Sequence, residues 1–194
     1  MSKSDPSSPK KERNKAIRWV VTIFLSTILI TSIISLASEE IMSVSAMPVA
    51  FAILLVIIFV GILFDIIGVA VTSADEKPFH SMAARKVPGA LESIRLLRNA
   101  EKVGSICNDV VGDICGVISG SASATIAAQV LQNFEFSWPR LVTLAMSALV
   151  AGLTVGGKAV GKGIAINSCT KIVHSVGLSI HRLQKIGNIF RKRK

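Results

Sequence analysis

Four long apolar stretches recur along the chain, separated by shorter polar segments. Residues 17–37 and 47–71 are almost uniformly apolar, whereas 103–132 and 140–166 are richer in Gly, Ala and Ser. Each stretch is long enough to cross a membrane, since the hydrocarbon core of a bilayer needs about 20 mostly apolar residues in one helix. The pattern therefore predicts an all-α integral membrane protein with four transmembrane helices.

The composition and the placement of charge refine this prediction. Hydrophobic residues make up 51% of the 194 residues, which is not typical of a soluble domain. Four spans put both termini on one side, and 21 of the 22 Lys and Arg residues fall on that side, Arg140 being the exception. Because basic residues accumulate in cytoplasmic segments, we expect a multi-pass protein of the plasma (inner) membrane with both termini cytoplasmic. The net charge of +10 indicates attraction to the lipid bilayer and its anionic lipids, and requires no nucleic acid.

The segments outside the spans have their own patterns. Residues 1–16 are predicted to be a disordered basic tail, and 17–37 a retained first span, because its 21 residues exceed the usual apolar core of a cleaved signal peptide, about 15 at most. Residues 73–102 are predicted to form a cytoplasmic helical hairpin that is broken at Pro88. Residues 167–194 read as a basic amphipathic helix, either lying in the membrane interface or packed on the hairpin.

Ionisable residues inside the predicted spans are the candidate functional residues. Asp65 lies in the second span, Asp109 and Asp113 in the third, and Lys158 in the fourth. At about 1.5 Å per helical residue, all of them fall in the cytoplasmic half of the membrane, and Asp109 and Asp113 share one helix face. A charge at a helix centre costs about 2.5 to 3.5 kcal/mol on insertion scales. Each carboxylate therefore needs a bound cation, a lysine or a proton to offset its charge.

Two of these solutions predict different functions. A hard divalent cation such as Mg2+ prefers oxygen ligands, and such ligands are offered by Ser73, Asp65, Asn108, Asp109 and Asp113. The alternative is an internal ion pair from Asp109 or Asp65 to Lys158, with no metal. The chemistry of the residues alone leaves both open.

Other patterns narrow the functional classes. We find no Ser/His/Asp or Cys/His set at a common depth, so we predict no enzymatic activity, and we expect three isolated histidines to face lipid headgroups: His80, His174 and His181. Glycines spaced by four in the last two spans allow close contact between helices. That spacing predicts either tight packing within one chain or a homodimer.

Three short motifs carry a resemblance to a known family. They are "SADE" at 73–76, "NDVVGD" at 108–113 and "GGKAVGKG" at 156–163. Their order resembles the transmembrane domain of the CNNM/CorC family of magnesium transport proteins, over roughly residues 48–185. The resemblance implies a three-span core at 47–166, an additional first helix, a homodimer, and Ser73 and Asn108 as cation ligands.

The chain also departs from the family pattern. Asp109 and Gly112 stand where the family has Asn, Asp113 is an addition, and Lys158 stands where the family has an acidic residue. We expect the cytoplasmic CBS pair to be missing after the last helix, so that any regulation would come from a separate subunit. The sequence thus favours a divalent cation transporter that binds Mg2+ in the cytoplasmic half of the membrane. The alternative is a non-transporting scaffold or regulatory subunit whose carboxylates are neutralised by Lys158.

Overall fold

The computed structural model of the chain describes residues 8–134 and 138–191. Every regular element in these two ranges is helical, which confirms the predicted all-α class. The elements are α1 (Ser8–Val44), α2 (Met47–Ser73), α3 (Lys77–Ala84), α4 (Ala90–Arg98), α5 (Ala100–Ser105), a π-helical segment (Ile106–Gly112), α6 (Asp113–Asn133), α7 (Pro139–Asn167) and α8 (Cys169–Arg191).

The four predicted spans are confirmed as helices that are long and apolar enough to cross a membrane. They cover Ile17–Met42, Met47–Ser73, Ala100–Asn133 and Pro139–Asn167. Prolines occupy the first turns of α2 and α7, where the missing N–H leaves no hydrogen bond unmade. The protein is therefore embedded in a membrane, and the spans are somewhat longer than the apolar stretches that predicted them.

The start of α1 differs from the sequence-based expectation. The helix begins at Ser8, inside the segment 1–16 that was predicted to be disordered. Lys, Glu and Arg favour helix, so the helical backbone extends back from the apolar span. Residues 1–7 lie outside the described residues.

Helix α2 is the centre of the bundle and contacts α6, α7 and the π-helical segment. The core between α2, α6 and α7 is apolar, and Met42 near the end of α1 closes it. Helix α1 otherwise lies at the edge, because no residue of its apolar window is buried. Gln129 Nε2 on α6 donates a hydrogen bond of 2.8 Å to the carbonyl oxygen of Met42, which ties α1 to the bundle.

Helices α3 and α4 contact each other across a short turn and form a hairpin, and α8 packs against α4. The cytoplasmic location of this hairpin stays a prediction. The turn into α4 has Gly89 at φ +84°, a left-handed conformation that favours glycine. The Ser93 hydroxyl donates to the carbonyl oxygens of Gly89 at 2.9 Å and Val173 at 3.2 Å. Val173 on α8 is fully buried, while Leu183, near the end of the helix, is exposed. The first half of α8 therefore packs on the hairpin, as the alternative prediction has it.

The expectation that the three histidines are isolated is wrong. His181 Nδ1 lies 3.0 Å from Glu92 Oε1, and His174 Nε2 lies 3.2 Å from the Pro88 carbonyl oxygen, so both join α8 to the hairpin. His80 pairs with Glu76 one helical turn earlier, at 3.2 Å. The hydrogen bond from His181 lowers the pKa of Glu92 below its ordinary value. Sequence spacing missed these contacts because two of them join residues more than 80 positions apart.

Candidate functional site

Asp65 is the most buried charged residue among those the structure describes. It lies on α2, and only 5% of its surface is exposed. Small residues surround it: Gly61 and Gly68 lie one turn to either side, and Gly112 faces it from the π-helical segment. The site thus forms where α2 and the third span approach closely and leave room for a carboxylate.

The π-helical segment Ile106–Gly112 covers most of the "NDVVGD" motif. π-helical turns are rare and occur frequently at functional sites. Within this region Asp109 Oδ2 accepts a hydrogen bond of 2.8 Å from Ser105 Oγ, whereas Asp113 begins α6 and lies near Lys158. The two carboxylates, predicted to act together on one face, therefore contact different residues.

Lys158 lies between two carboxylates. Its Nζ is 3.7 Å from Asp65 Oδ1 on α2 and 3.7 Å from Asp113 Oδ1 on α6. Both distances are too long for a hydrogen bond but short enough for a strong electrostatic interaction. Of the two partners, the Asp65 side chain is 7% exposed and the Asp113 side chain 70% exposed. The ammonium group thus links three spans, and the buried partner carries the larger electrostatic interaction.

Gly112 makes this position available to the lysine. A Cβ atom at residue 112 would lie 3.2 Å from Lys158 Nζ and 3.7 Å from Asp65 Oδ1. A larger side chain would therefore push the ammonium group away from the carboxylate. This role could not be predicted from the residue pattern, because glycine spacing indicates close helix contact without showing which side chain fills the space.

Among the residues that the structure describes, two buried oxygen atoms on α2 and the π-helical segment have no hydrogen-bond partner. They are Asp65 Oδ2 and Asn108 Oδ1. Asn108 packs against the backbone of α2 at Gly68, one turn along the helix from Asp65. Unpaired buried acceptors are costly, and they are the atoms that a hard cation would bind.

The residues as arranged do not fit a resident metal ion. The described part of the chain holds no group of three or more His, Cys, Asp or Glu residues that could bind one. Between Asp65 Oδ1 and Asp113 Oδ1, the positive charge is supplied by Lys158 Nζ. A divalent cation there would lie within a few ångströms of a like charge, which is unfavourable.

The structure brings together only part of the predicted site. Asp65 and Asp113 share Lys158, and Asn108 lies beside α2 one turn from Asp65. Ser73 is exposed at the last residue of α2, eight positions from Asp65 and therefore about 12 Å along the helix. Asp109 is exposed with Ser105 as its partner. The ion pair proposed from the sequence as the alternative to a metal is therefore found for Asp65 and not for Asp109.

Comparisons with protein families, with curated proteins and with solved structures find no match to this chain. We therefore infer the function from the site itself.

Proposed function

We propose that this chain is a non-transporting membrane scaffold or regulatory subunit, in which Lys158 takes the place of a bound cation. One observation carries the proposal, namely the 3.7 Å separation of Lys158 Nζ from carboxylate oxygens of both Asp65 and Asp113. Each ionised group in a span needs an offset, and the lysine supplies a permanent one. A protein built in this way keeps three spans together without depending on the ion concentration.

The proposed location is the plasma (inner) membrane, with both termini and the hairpin in the cytoplasm. The support is the basic charge, since the 17 Lys and Arg residues outside the four spans all fall in the two termini or in the segment 74–99, which share one side. Anionic lipids of the cytoplasmic leaflet would be favoured at that side. Reaction of single cysteines, introduced into either loop or terminus, with a membrane-impermeant reagent in intact cells tests this orientation.

A second copy of the chain is the partner we propose for the scaffold. A Cβ atom would meet open space at Gly116 and Gly120 on α6 and at Gly152 and Gly156 on α7. These glycines are therefore not used for packing within the chain, and small residues at this spacing let helices of another chain approach closely. The mass of the detergent-solubilised protein tests the dimer, and Gly152→Leu should reduce it to a monomer.

Reconstitution into liposomes tests the proposed lack of transport. Purified protein is inserted into vesicles that hold a fluorescent Mg2+ indicator, and external Mg2+ is then raised. We expect the rate of Mg2+ entry to equal that of protein-free vesicles, because Lys158 occupies the site. Saturable entry that depends on the protein would overturn the proposal.

Divalent cation transport is the second candidate, and the unpaired oxygens Asp65 Oδ2 and Asn108 Oδ1 favour it. In that case Lys158 would have to leave the position it has here, and the ion would bind Asp65, Asn108 and Asp113, with Ser73 and Asp109 at the entrance. The same flux assay separates the two candidates. Transport predicts entry of Mg2+ that is abolished in Asp65→Asn, whereas the scaffold predicts no entry for either protein.

A further inference from the structure

We infer that a groove between α1 and α2 binds one acyl chain of an anionic phospholipid, whose headgroup lies beside Arg18 and Lys102. These two residues mark the inner end of the groove, which is the cytoplasmic end in the proposed orientation. The inference takes only this orientation from the proposed function, and it holds whether or not the chain carries an ion. Helix α1, whose apolar window has no buried residue, would then be held to the bundle in part by lipid.

The groove lies near the middle of the spans and is apolar. Its lining side chains are all Val or Ile except for Ser38 and Cys115. Three spans contribute to it, with Ile30 and Ile34 on α1, Val56 and Val60 on α2, and Val111 and Ile114 on the third span. A surface of this kind at mid-membrane meets lipid chains, which are as apolar as the side chains that line it.

The groove is present because α1 is tied to the bundle near its two ends. At the outer end, Gln129 Nε2 donates to the Met42 carbonyl oxygen. At the inner end, Lys102 Nζ lies 5.8 Å from the centroid of the Trp19 ring, within the range of a cation–π interaction. Between these ties α1 contacts α6, and the groove separates it from the middle of α2.

The size of the groove selects a single hydrocarbon chain as its occupant. Its volume is about 320 Å³, roughly twice that of an apolar cavity that binds benzene. The floor runs from Val110 to Ile118, a length of about 12 Å along the helix, so the mean cross-section is about 27 Å². A helix about 10 to 12 Å across has a cross-section three to four times larger. A transmembrane helix of a second copy is therefore too wide to enter.

The charges at the two ends of the groove select the headgroup. Arg18 and Lys102 lie at the inner end, beside the Trp19 contact, whereas Glu39 and Glu40 lie near the outer end of α1. Basic residues near the membrane surface attract anionic lipids. Val110 lies about 12 Å beyond Lys102 along the span, and one leaflet with its headgroups is about 20 to 22 Å thick. A lipid whose phosphate lies beside Lys102 therefore places the end of its chain in the groove.

Native mass spectrometry tests the headgroup. The full chain is reconstituted in vesicles of equal phosphatidylglycerol and phosphatidylcholine, extracted in mild detergent, and analysed for retained lipid. We expect one lipid per chain, with phosphatidylglycerol favoured by about fivefold for each of the two basic residues. Arg18→Gln with Lys102→Gln should abolish this preference. The matched control, Lys171→Gln with Arg182→Gln, removes two exposed basic residues of α8 and should keep it.

The same measurement tests the groove. Val60→Phe places a larger side chain in the space that the acyl chain would occupy, so this variant should lose the retained lipid. Val117→Phe is the matched control, because Val117 is 60% exposed and does not line the groove. Absence of retained lipid in wild type, or equal retention by wild type and Val60→Phe, would overturn the inference. Equal retention of the two lipids by wild type would overturn the assignment of an anionic headgroup.

Photocrosslinking in wild type decides the matter if Val60→Phe cannot be purified. The vesicles then hold phosphatidylglycerol with a diazirine near the end of one acyl chain, and the adducts are located by peptide mass spectrometry. Adducts concentrated at residues 110–118 support the groove. An even spread over exposed positions such as Leu144 and Leu149 would contradict it. Neither result bears on Mg2+ flux, so a failure here leaves the proposed function intact.

Discussion

Replacing Lys158 with methionine should destabilise the protein strongly, because it leaves the buried Asp65 carboxylate without a counter-charge. Two unit charges 3.7 Å apart attract by about 4.5 kcal/mol at an effective dielectric constant of about 20. Breaking a buried pair by removing one partner typically costs about 3 to 5 kcal/mol. Asp113 adds little, since its side chain is 70% exposed and such pairs contribute about 1 kcal/mol at most.

The assay is a double-mutant cycle on the detergent-purified protein. A loss of about 3 to 5 kcal/mol lowers the unfolding midpoint by about 6 to 20 °C for a chain of this size. Asp65→Asn removes the stranded charge, so the double variant should recover much of the loss in Lys158→Met, with a coupling of up to about 3 kcal/mol. Lys162→Met is the matched control and should change stability by less than about 0.5 kcal/mol.

Two results would refute this account of the ion pair. One is additivity of the two substitutions within about 0.5 kcal/mol, which is the behaviour of independent sites. The other is an equal loss in Lys162→Met and Lys158→Met, which would mean that any lysine on this part of α7 matters as much as the one between the carboxylates.

Two more predictions concern the surroundings of the site and the hairpin. Gly68→Ala should destabilise by about 1 to 3 kcal/mol, because its Cβ would overlap the side chain of Asn108, whereas Gly116→Ala meets open space and should change thermal stability by less than about 0.5 kcal/mol. Glu92 has a lowered pKa through its hydrogen bond with His181, so wild type should be more stable than Glu92→Gln at about pH 6. That advantage should disappear in pH-dependent melting as the pH falls through the lowered Glu92 pKa.

The membrane spans could be predicted from the sequence because hydropathy is a local property. A run of apolar residues such as 47–71 identifies its own helix, and the structure extends it only to Ser73. The break between the two hairpin helices could also be predicted from a local signal, because Gly89 adopts a positive φ that few other residues tolerate. Signals of this kind need no knowledge of the partner that each helix packs against.

The site could be predicted only in part, because its geometry depends on contacts between distant residues. The depth of each polar residue along its span was enough to bring Asp65 and Lys158 to a similar level, and their ion pair joins positions 93 residues apart. The position along the span could not show whether Asp109 or Asp113 is the second partner of Lys158. That choice depends on the π-helical segment Ile106–Gly112, for which the residue pattern gave no signal.

We propose that Lys158, and not a metal ion, neutralises the buried Asp65 carboxylate of the wild-type protein. Isothermal titration calorimetry of MgCl2 into wild-type protein in detergent, at constant ionic strength and beside Asp65→Asn, tests it most directly. We expect no saturable heat of binding for either protein up to tens of millimolar Mg2+, since the site already holds the Lys158 ammonium group. A saturable binding isotherm for wild type that is lost in Asp65→Asn would contradict the claim and establish a metal site in its place.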